Sequence, residues 1–421
     1  MIEKLKPKSE FSRNVLTLMS GTTVAQAIPI AISPILTRIY TPEDFGLFGT
    51  FLALSTILGG ISNAKYELAI MLPRKDEDAI NIFALGFIIS SIFSLLLLVF
   101  ILLFDDYLIE LLGNETIRQW IYFIPLIVFF IGFFNILNYF NNRKKNYRDI
   151  ANSKIVKSIV LAVVQLSVGL VKGGVIGLVS GQIVSQMFAN VRLLKNIIND
   201  KNLMSKISKV KMIALAKKYK NFPKFLILAH GMNTMSSQSP FILLSTFFNA
   251  TIAGFFLLTQ RVVGMPMSLV ARSIGDVFRE EASSQFRKNG ECKAIYISTL
   301  KRLLIIGTIP FILLFMASPT LFIFVFGDDW GVAGVYAQIL TPMFFLQFIT
   351  SPLSNMFMIA EKQQLDLSWQ IFLFVLIMTS LFSGKYVFDD SFMAISLFSL
   401  SYSLSYIVNG IMTYKFSKGI Q

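Results

Sequence analysis

Ala79-Ile-Asn-Ile-Phe-Ala-Leu-Gly-Phe-Ile-Ile-Ser-Ser-Ile-Phe-Ser-Leu-Leu-Leu-Leu-Val-Phe-Ile-Leu-Leu-Phe104 runs for 26 residues without a charged side chain. As a helix it extends about 39 Å, more than the ~30 Å hydrocarbon core of a bilayer. Arg74, Lys75 and Asp76 precede it and Asp105-Asp106 follow it, so both ends return to water. Comparable spans lie at residues 14–37, 45–64, 119–140, 155–171 and 175–192. A second set lies at 222–248, 253–271, 296–318, 333–359, 368–386 and 392–414, making twelve in all. With 54% hydrophobic residues, 15% charged residues and a mean hydropathy of +0.66 over 421 residues, the chain is too apolar to form one soluble core. The expected fold is an all-α polytopic membrane protein.

An even number of spans puts both termini on one side, and the Lys/Arg distribution names that side. The segments assigned to the cytoplasm carry 33 of the 38 Lys and Arg residues, whereas the outside segments carry only Arg38, Arg118, Lys172 and Lys385. Both ends are therefore expected in the cytoplasm. The net charge of +14 follows from this asymmetry, which makes nucleic acid an unexpected partner. The first span follows Lys4, Lys6, Lys8 and Arg13 like the opening of a signal peptide, but it is long, lacks a small-x-small cleavage pattern and precedes eleven more spans. It is expected to be a retained helix. With one Cys (Cys292), one His and no acidic residue read within a span, neither a disulfide, a metal site nor a Cys/His nucleophile is expected, and no cofactor.

The chain divides into an N-lobe (residues 1–195, spans 1–6), a cytoplasmic linker (196–221) and a C-lobe (222–421, spans 7–12). Within the linker, Ile207, Val210, Ile213, Ala214 and Leu215 alternate with lysines at helical spacing. That pattern suits either a helix on the membrane surface or a solvated charged connection. Ser33-Pro34 followed by Gly46 and a basic end at Lys65 parallels Ser239-Pro240 followed by Gly254 and a basic end at Arg272. Each half starts inside, so the halves read as parallel repeats. Prolines within spans, among them Pro34, Pro240, Pro266 and Pro310, free carbonyls for hydroxyls or cavity water and suggest bends around a wet interior; packing of a kink against another helix would also account for any one of them.

Two constellations stand out. In the seventh span, His230, Asn233, Thr234 and Ser237 share a helical face, next to Gln238. This face either bonds across helices or lines a cavity that offers neutral donors and acceptors to sugar hydroxyls; His230, near the cytoplasmic end, reads first as a structural partner. In the eighth, Gln260-Arg261 stands midway along an apolar helix. A permanent guanidinium at that depth meets water, backbone carbonyls or an anion, and its planar fork suits phosphate oxygens. Gln26 is the large polar side chain at depth in the first span, whereas Lys65 and Glu67 read as interfacial anchors. Without carboxylates in the bundle, a cation pump or an exporter of cationic drugs is poorly provided for.

The run Leu36-Thr37-Arg38-Ile-Tyr40-Thr-Pro42-Glu43-Asp-Phe45-Gly46-Leu-Phe48 resembles the first outside loop of the Wzx-type polysaccharide flippases, the O-antigen translocases of the multidrug/oligosaccharidyl-lipid/polysaccharide exporter superfamily. Tyr219-Lys-Asn-Phe-Pro223-Lys-Phe225, Arg261-Val-Val-Gly-Met-Pro266-Met-Ser268 and Ile274-Gly-Asp276-Val-Phe278-Arg279 are similar to later segments of that family. The resemblance covers essentially the whole chain through the order and spacing of its motifs. It implies twelve transmembrane helices in two six-helix lobes arranged as an inverted-V transporter. It also implies a non-enzymatic function in the bacterial inner membrane: moving undecaprenyl-diphosphate-linked oligosaccharide to the outer leaflet by alternating access, for O-antigen, lipopolysaccharide or a similar surface polysaccharide.

On that reading Arg261 meets the diphosphate, and Asn233, Ser237, Gln238, Gln260, Gln26 and His230 meet sugars or line the path. Partners would be the polyprenyl-diphosphate-linked oligosaccharide, membrane lipid, and a polysaccharide polymerase with its chain-length machinery, the transporter itself being a monomer. The alternatives are a teichoic-acid, capsule or peptidoglycan precursor, or a drug, as substrate. A membrane glycan-modifying enzyme would want a sizeable outer loop with catalytic groups, and the longest outside segments here run to about a dozen residues.

Overall fold

The computed structural model describes residues 10–419. The lysines read as cytoplasmic at positions 4, 6 and 8 lie outside them. Among the described residues the structure is helical throughout, and ten helices are long and apolar enough to cross a membrane. The first six named elements are α1 (Glu10–Ala31), α2 (Ser33–Ile39), α3 (Pro42–Ile61), α4 (Tyr66–Ala69), α5 (Asp76–Leu112) and α6 (Ile124–Arg143). Next come α7 (Tyr147–Lys172), α8 (Val175–Ile198), α9 (Lys209–Lys218), α10 (Ile227–Phe247) and α11 (Ala250–Thr259). The last are α12 (Met265–Asn289), α13 (Lys293–Phe326), α14 (Gly331–Thr350), α15 (Gln363–Tyr386) and α16 (Ser391–Ser417). Two spans read from the sequence, 175–192 and 222–248, fall in α8 and α10 but outside the set of ten. Polar residues explain this: Ser185, Gln186 and Asn190 are buried in α8, and α10 carries the run from His230 to Ser239.

Local chemistry sets the breaks. The helical course is interrupted at Ile32 between α1 and α2, ahead of Pro34, and the Ser33 hydroxyl there donates to the Pro29 carbonyl at 2.7 Å. Thr41 and Asp44 cap α3 reciprocally: the Thr41 amide donates to Asp44 Oδ2 at 3.0 Å and the Asp44 amide to Thr41 Oγ1 at 3.2 Å. In α5 the backbone leaves helical geometry at Phe104 (φ −127°, ψ 23°), where the apolar run gives way to Asp105-Asp106.

By its internal contacts the chain forms two units, residues 1–40 with 47–238, and residues 41–46 with 239–421. In the first, Ile80, Phe83, Ile136, Phe140, Leu193 and Ile197 build a buried cluster from α5, α6 and α8. The Tyr40 hydroxyl donates to the Gln165 carbonyl of α7 at 2.5 Å. The linker helix α9 docks on this unit rather than standing free. Leu215 is buried, the Tyr66 hydroxyl donates to the Ala216 carbonyl at 3.1 Å, the Ser208 amide donates to Asn81 Oδ1 at 2.8 Å, and Lys211 pairs with Glu77. Val210 and Ile213 stay exposed.

In the second unit the two glycines matched by the sequence repeat meet each other. A Cβ on Gly46 would stand 1.6 Å from the Ala250 carbonyl oxygen; one on Gly254 would stand 1.8 Å from the Pro42 oxygen and 3.0 Å from the Gly46 amide. Backbone approach this close is the use of small residues in membrane helix packing. Beside it the Phe45 and Trp330 rings pack edge to face at 4.9 Å, and the Thr259 hydroxyl donates to the Ala333 carbonyl at 2.9 Å.

Candidate functional site

Between α11 and α12 the helix widens into a π turn, Gln260–Gly264, closed by the Met265 amide donating to the Gln260 carbonyl. Pro266 follows at the start of α12 and brings no N–H, so the helix is loosened where Arg261 stands. The sequence leaves open whether Arg261 meets water or is held inside protein. The structure encloses it, leaving 7% of its surface accessible. Among the described residues no hydrogen bond or ion pair engages its guanidinium, whose nitrogens keep a small accessible surface although the residue as a whole is buried. Gln260 is half-buried in the same turn.

In the other unit, His230, Asn233 and Ser237 form an exposed ridge on α10, with Thr234 and Gln238 half-buried beside it. The Thr234 hydroxyl donates to the His230 carbonyl at 2.9 Å, that of Ser236 to Met232 at 3.0 Å and that of Ser237 to Thr234 at 2.9 Å. The Gln238 amide reaches Ser237 Oγ at 3.4 Å. These bonds return to the same helix. The ridge presents polar groups outward from its helix, as a lining would. A Cβ on Gly60 of α3 would stand 3.9 Å from the His230 ring, which places His230 at the end of that span.

Gln26 is half-buried on α1, one helical turn from Thr22. Thr22 leads to a feature that sequence reasoning misses. Helix α7 begins at Tyr147, eight residues before the span read from the sequence at 155–171, so Lys154, and Lys157 at the edge of that span, stand inside a helix of membrane-spanning length. Lys157 lies about 15 Å from the start of a helix about 39 Å long. Lys154 Nζ donates to Thr22 Oγ1 at 3.1 Å, and Lys157 Nζ sits 6.0 Å from the centre of the Phe134 ring. Neither has a carboxylate partner among the described residues. Arg261 is therefore not the sole cation within a helix of membrane-spanning length. A charged residue near a helix start looks like a loop residue in sequence; the signal that could have found this one is Asn146 at the N-cap with Asp149 in the first turn.

A second correction concerns Lys65 and Glu67. They are not interfacial anchors. They form a buried pair 3.6 Å apart, with side chains 5% and 3% exposed, Lys65 at the N-cap of the short α4 and Glu67 within it. Ala64 and Lys65 take the left-handed conformation at φ 50° and 62°, a cost of about 1–2 kcal/mol per residue that the surrounding fold sustains. Desolvation raises the Glu67 pKa and lowers that of Lys65, and the attraction between them opposes both shifts. Glu67 Oε2 has no hydrogen-bond partner. A buried carboxylate thus exists near the span ends, beside spans that read as free of carboxylates.

A sequence profile described as polysaccharide biosynthesis protein matches residues 35–334. The chain belongs to that family. The candidate site residues fall in the matched region of this polysaccharide biosynthesis protein except Thr22 and Gln26. No curated protein sequence matches the chain. Among solved structures, an inward-facing multidrug resistance MATE family transporter of the MOP superfamily superposes with a TM-score of 0.72 at 13% identity, covering 94% of this chain and 93% of its own. The lipid II flippase MurJ, in an inward closed conformation, gives 0.70 at 13% identity, covering 96% and 87%. A MOP superfamily transporter from Pyrococcus furiosus, whose binding pocket is described as of reverse polarity, gives 0.63 at 14% identity with 96% of each chain covered. These likenesses establish a shared fold: the polysaccharide biosynthesis protein is an all-α polytopic membrane protein built as MOP-superfamily transporters are.

Proposed function

We propose that the protein is a flippase that moves polyprenyl-diphosphate-linked oligosaccharide from the cytoplasmic to the outer leaflet of the bacterial cytoplasmic membrane by alternating access. The observation that carries this reading is Arg261, largely buried in a helical course of membrane-spanning length without a carboxylate or hydrogen-bond partner among the described residues. An uncompensated buried charge is costly to keep, so its retention points to an anion that arrives with the substrate. A diphosphate supplies oxygens in the geometry that a guanidinium fork binds bidentately. Lys154 and Lys157 would give the passing anion a second cationic station. Asn233, Ser237, Gln238, Gln260, Gln26 and His230 would meet sugar hydroxyls or line the path.

Family membership supports a role in polysaccharide production, and the fold supports transport. Both termini are cytoplasmic on this reading, the chemistry is translocation without bond making or breaking, and the repeat unit is that of O-antigen or a similar surface polysaccharide. Changing Arg261 to Ala should abolish surface polysaccharide while the protein remains at its normal level in the membrane. Undiminished surface polysaccharide in that strain would remove Arg261 from the mechanism.

A further inference from the structure

Helix α9 has two faces of different chemistry. On its inner face Leu215 joins the cluster of Ile80 and Phe83, and Lys211 pairs with Glu77. At about 100° per residue, Val210, Ile213, Ala214 and Lys217 fall together on the opposite side, with Lys209 and Lys218 along its two edges. Val210 is 77% exposed and Ile213 49%, so the outer face is apolar at its centre and cationic at its rim. From 201 to 226 the chain carries eight lysines and no acidic residue. Among the described residues only one of the eight, the inward Lys211, forms an ion pair.

Asn81 sets the height of this helix. Fully buried, it donates its amide to the Lys206 carbonyl at 3.0 Å and accepts from the Ser208 amide at 2.8 Å, which ties the entry of α9 to the third residue of the apolar run beginning at Ala79. The far end is tied by the Tyr66 hydroxyl on the Ala216 carbonyl. Asn81 stands about 3 Å of helix past Ala79, at the edge of the hydrocarbon layer. We infer that the outer face of α9 is a binding site for anionic phospholipid: Val210 and Ile213 enter the boundary between headgroups and acyl chains, and Lys209, Lys217 and Lys218 reach back to the phosphates. Charge and depth choose this occupant. A zwitterionic surface offers unpaired lysines no net charge to meet, whereas an anionic one attracts each of them. Water or an acidic soluble partner would leave Val210 and Ile213 outward at the level of the apolar run without covering them. The site fastens the protein to its leaflet and stands apart from whatever the protein transports.

The test uses the full chain in nanodiscs with a bimane fluorophore on Val210→Cys, the native Cys292 being buried and left in place. Quenchers are phosphatidylglycerol and phosphatidylcholine, each carrying a nitroxide high on an acyl chain, and a neutral water-soluble nitroxide. Phosphatidylglycerol should quench at about one fifth of the concentration that phosphatidylcholine needs, the preference expected of one lysine at an anionic surface, and more if several act together. The same fluorophore on Leu95→Cys, an exposed position in the middle of the apolar run of α5, should be quenched equally by the two lipids. Replacing Lys209, Lys217 and Lys218 together by Gln should abolish the preference at position 210, and replacing them by Arg should keep it. Equal quenching by the two lipids at position 210, or a preference that survives the Gln variant, would overturn the anionic site. Quenching at that position by the water-soluble nitroxide alone, or by none of the three, would show a face covered by water or by protein and would overturn it as well.

Discussion

Replacing Arg261 by Met separates a functional arginine from a structural one, because the two roles move stability and transport in different combinations. Arg261 is 7% exposed, without a hydrogen bond or ion pair to its guanidinium among the described residues, so Met removes an unpaired, largely buried charge and fills much of its volume with apolar atoms. Exchanging buried ionic groups for well-packed apolar ones is neutral or stabilising by about 1–4 kcal/mol, so the melting temperature of the purified protein should hold or rise by a few degrees. Transport should collapse. A bidentate charge-assisted contact to a diphosphate is worth about 2–4 kcal/mol, which corresponds to a loss of roughly 30- to 900-fold. Arg261→Lys keeps the charge without the fork and should lose about tenfold. The assays are thermal unfolding followed by fluorescence size exclusion, and flipping of lipid-linked oligosaccharide in proteoliposomes. A Met variant that melts several degrees lower yet transports normally would show that Arg261 braces the π turn, and the substrate role would be refuted.

The Lys65–Glu67 pair gives a second test. Removing one partner alone, as Lys65→Met or Glu67→Leu, should cost about 3–5 kcal/mol, whereas the double change should be close to neutral, measured as a double-mutant cycle in thermal stability. In Lys65→Met the penalty depends on pH. Burial raises Glu67 above its usual 4.5, so its protonated form is the tolerated one; that contribution is whole below 4.5 and fades as pH rises through the higher folded value. The variant should therefore be nearer to wild type at pH 5 than at pH 8, and a pH-independent difference would exclude a buried ionised Glu67 as the cause. Gly254→Ala puts a methyl 1.8 Å from the Pro42 carbonyl oxygen; it should destabilise by about 3 kcal/mol or more and lower the yield of monodisperse protein. Lys154→Met and Lys157→Met should each reduce proteoliposome flipping about tenfold without loss of folded protein, the equivalent of one charge-assisted contact, and full activity in both would confine anion handling to Arg261.

The spans are legible in the sequence because a long uncharged apolar run is too costly to leave in water and too long for the core of a small soluble domain. The run ending at Phe104 even marks the break in α5, since the helix departs from regular geometry where the first aspartates arrive. The pairing of Gly46 with Gly254 in the sequence repeat also has a physical counterpart, as the two backbones meet. Charge near a span end is what misleads. Lys154 and Lys157 look like loop residues because the positive-inside pattern favours lysines in cytoplasmic segments, although Asn146 and Asp149 are the start signals of α7 at Tyr147. Lys65 and Glu67 look like anchors for the same reason, although their burial depends on tertiary packing around two left-handed residues. The docking of α9 is hidden as well: an amphipathic lysine-rich helix has the same pattern whether its apolar face meets lipid or, as Leu215 does, the body of the protein. Arg261 is legible as an unpaired charge at depth, but its π turn and enclosure are not.

The most direct measurement is translocation itself. Purified protein is reconstituted into sealed vesicles carrying fluorescent undecaprenyl-diphosphate-linked oligosaccharide in one leaflet, and exposure to a membrane-impermeant lectin or quencher is followed over time. Protein-dependent exposure that Arg261→Met abolishes, with phosphatidylglycerol left in place, is the predicted result. Vesicles in which the oligosaccharide stays in its leaflet, or in which the wild type and Arg261→Met expose it at equal rates, would contradict it.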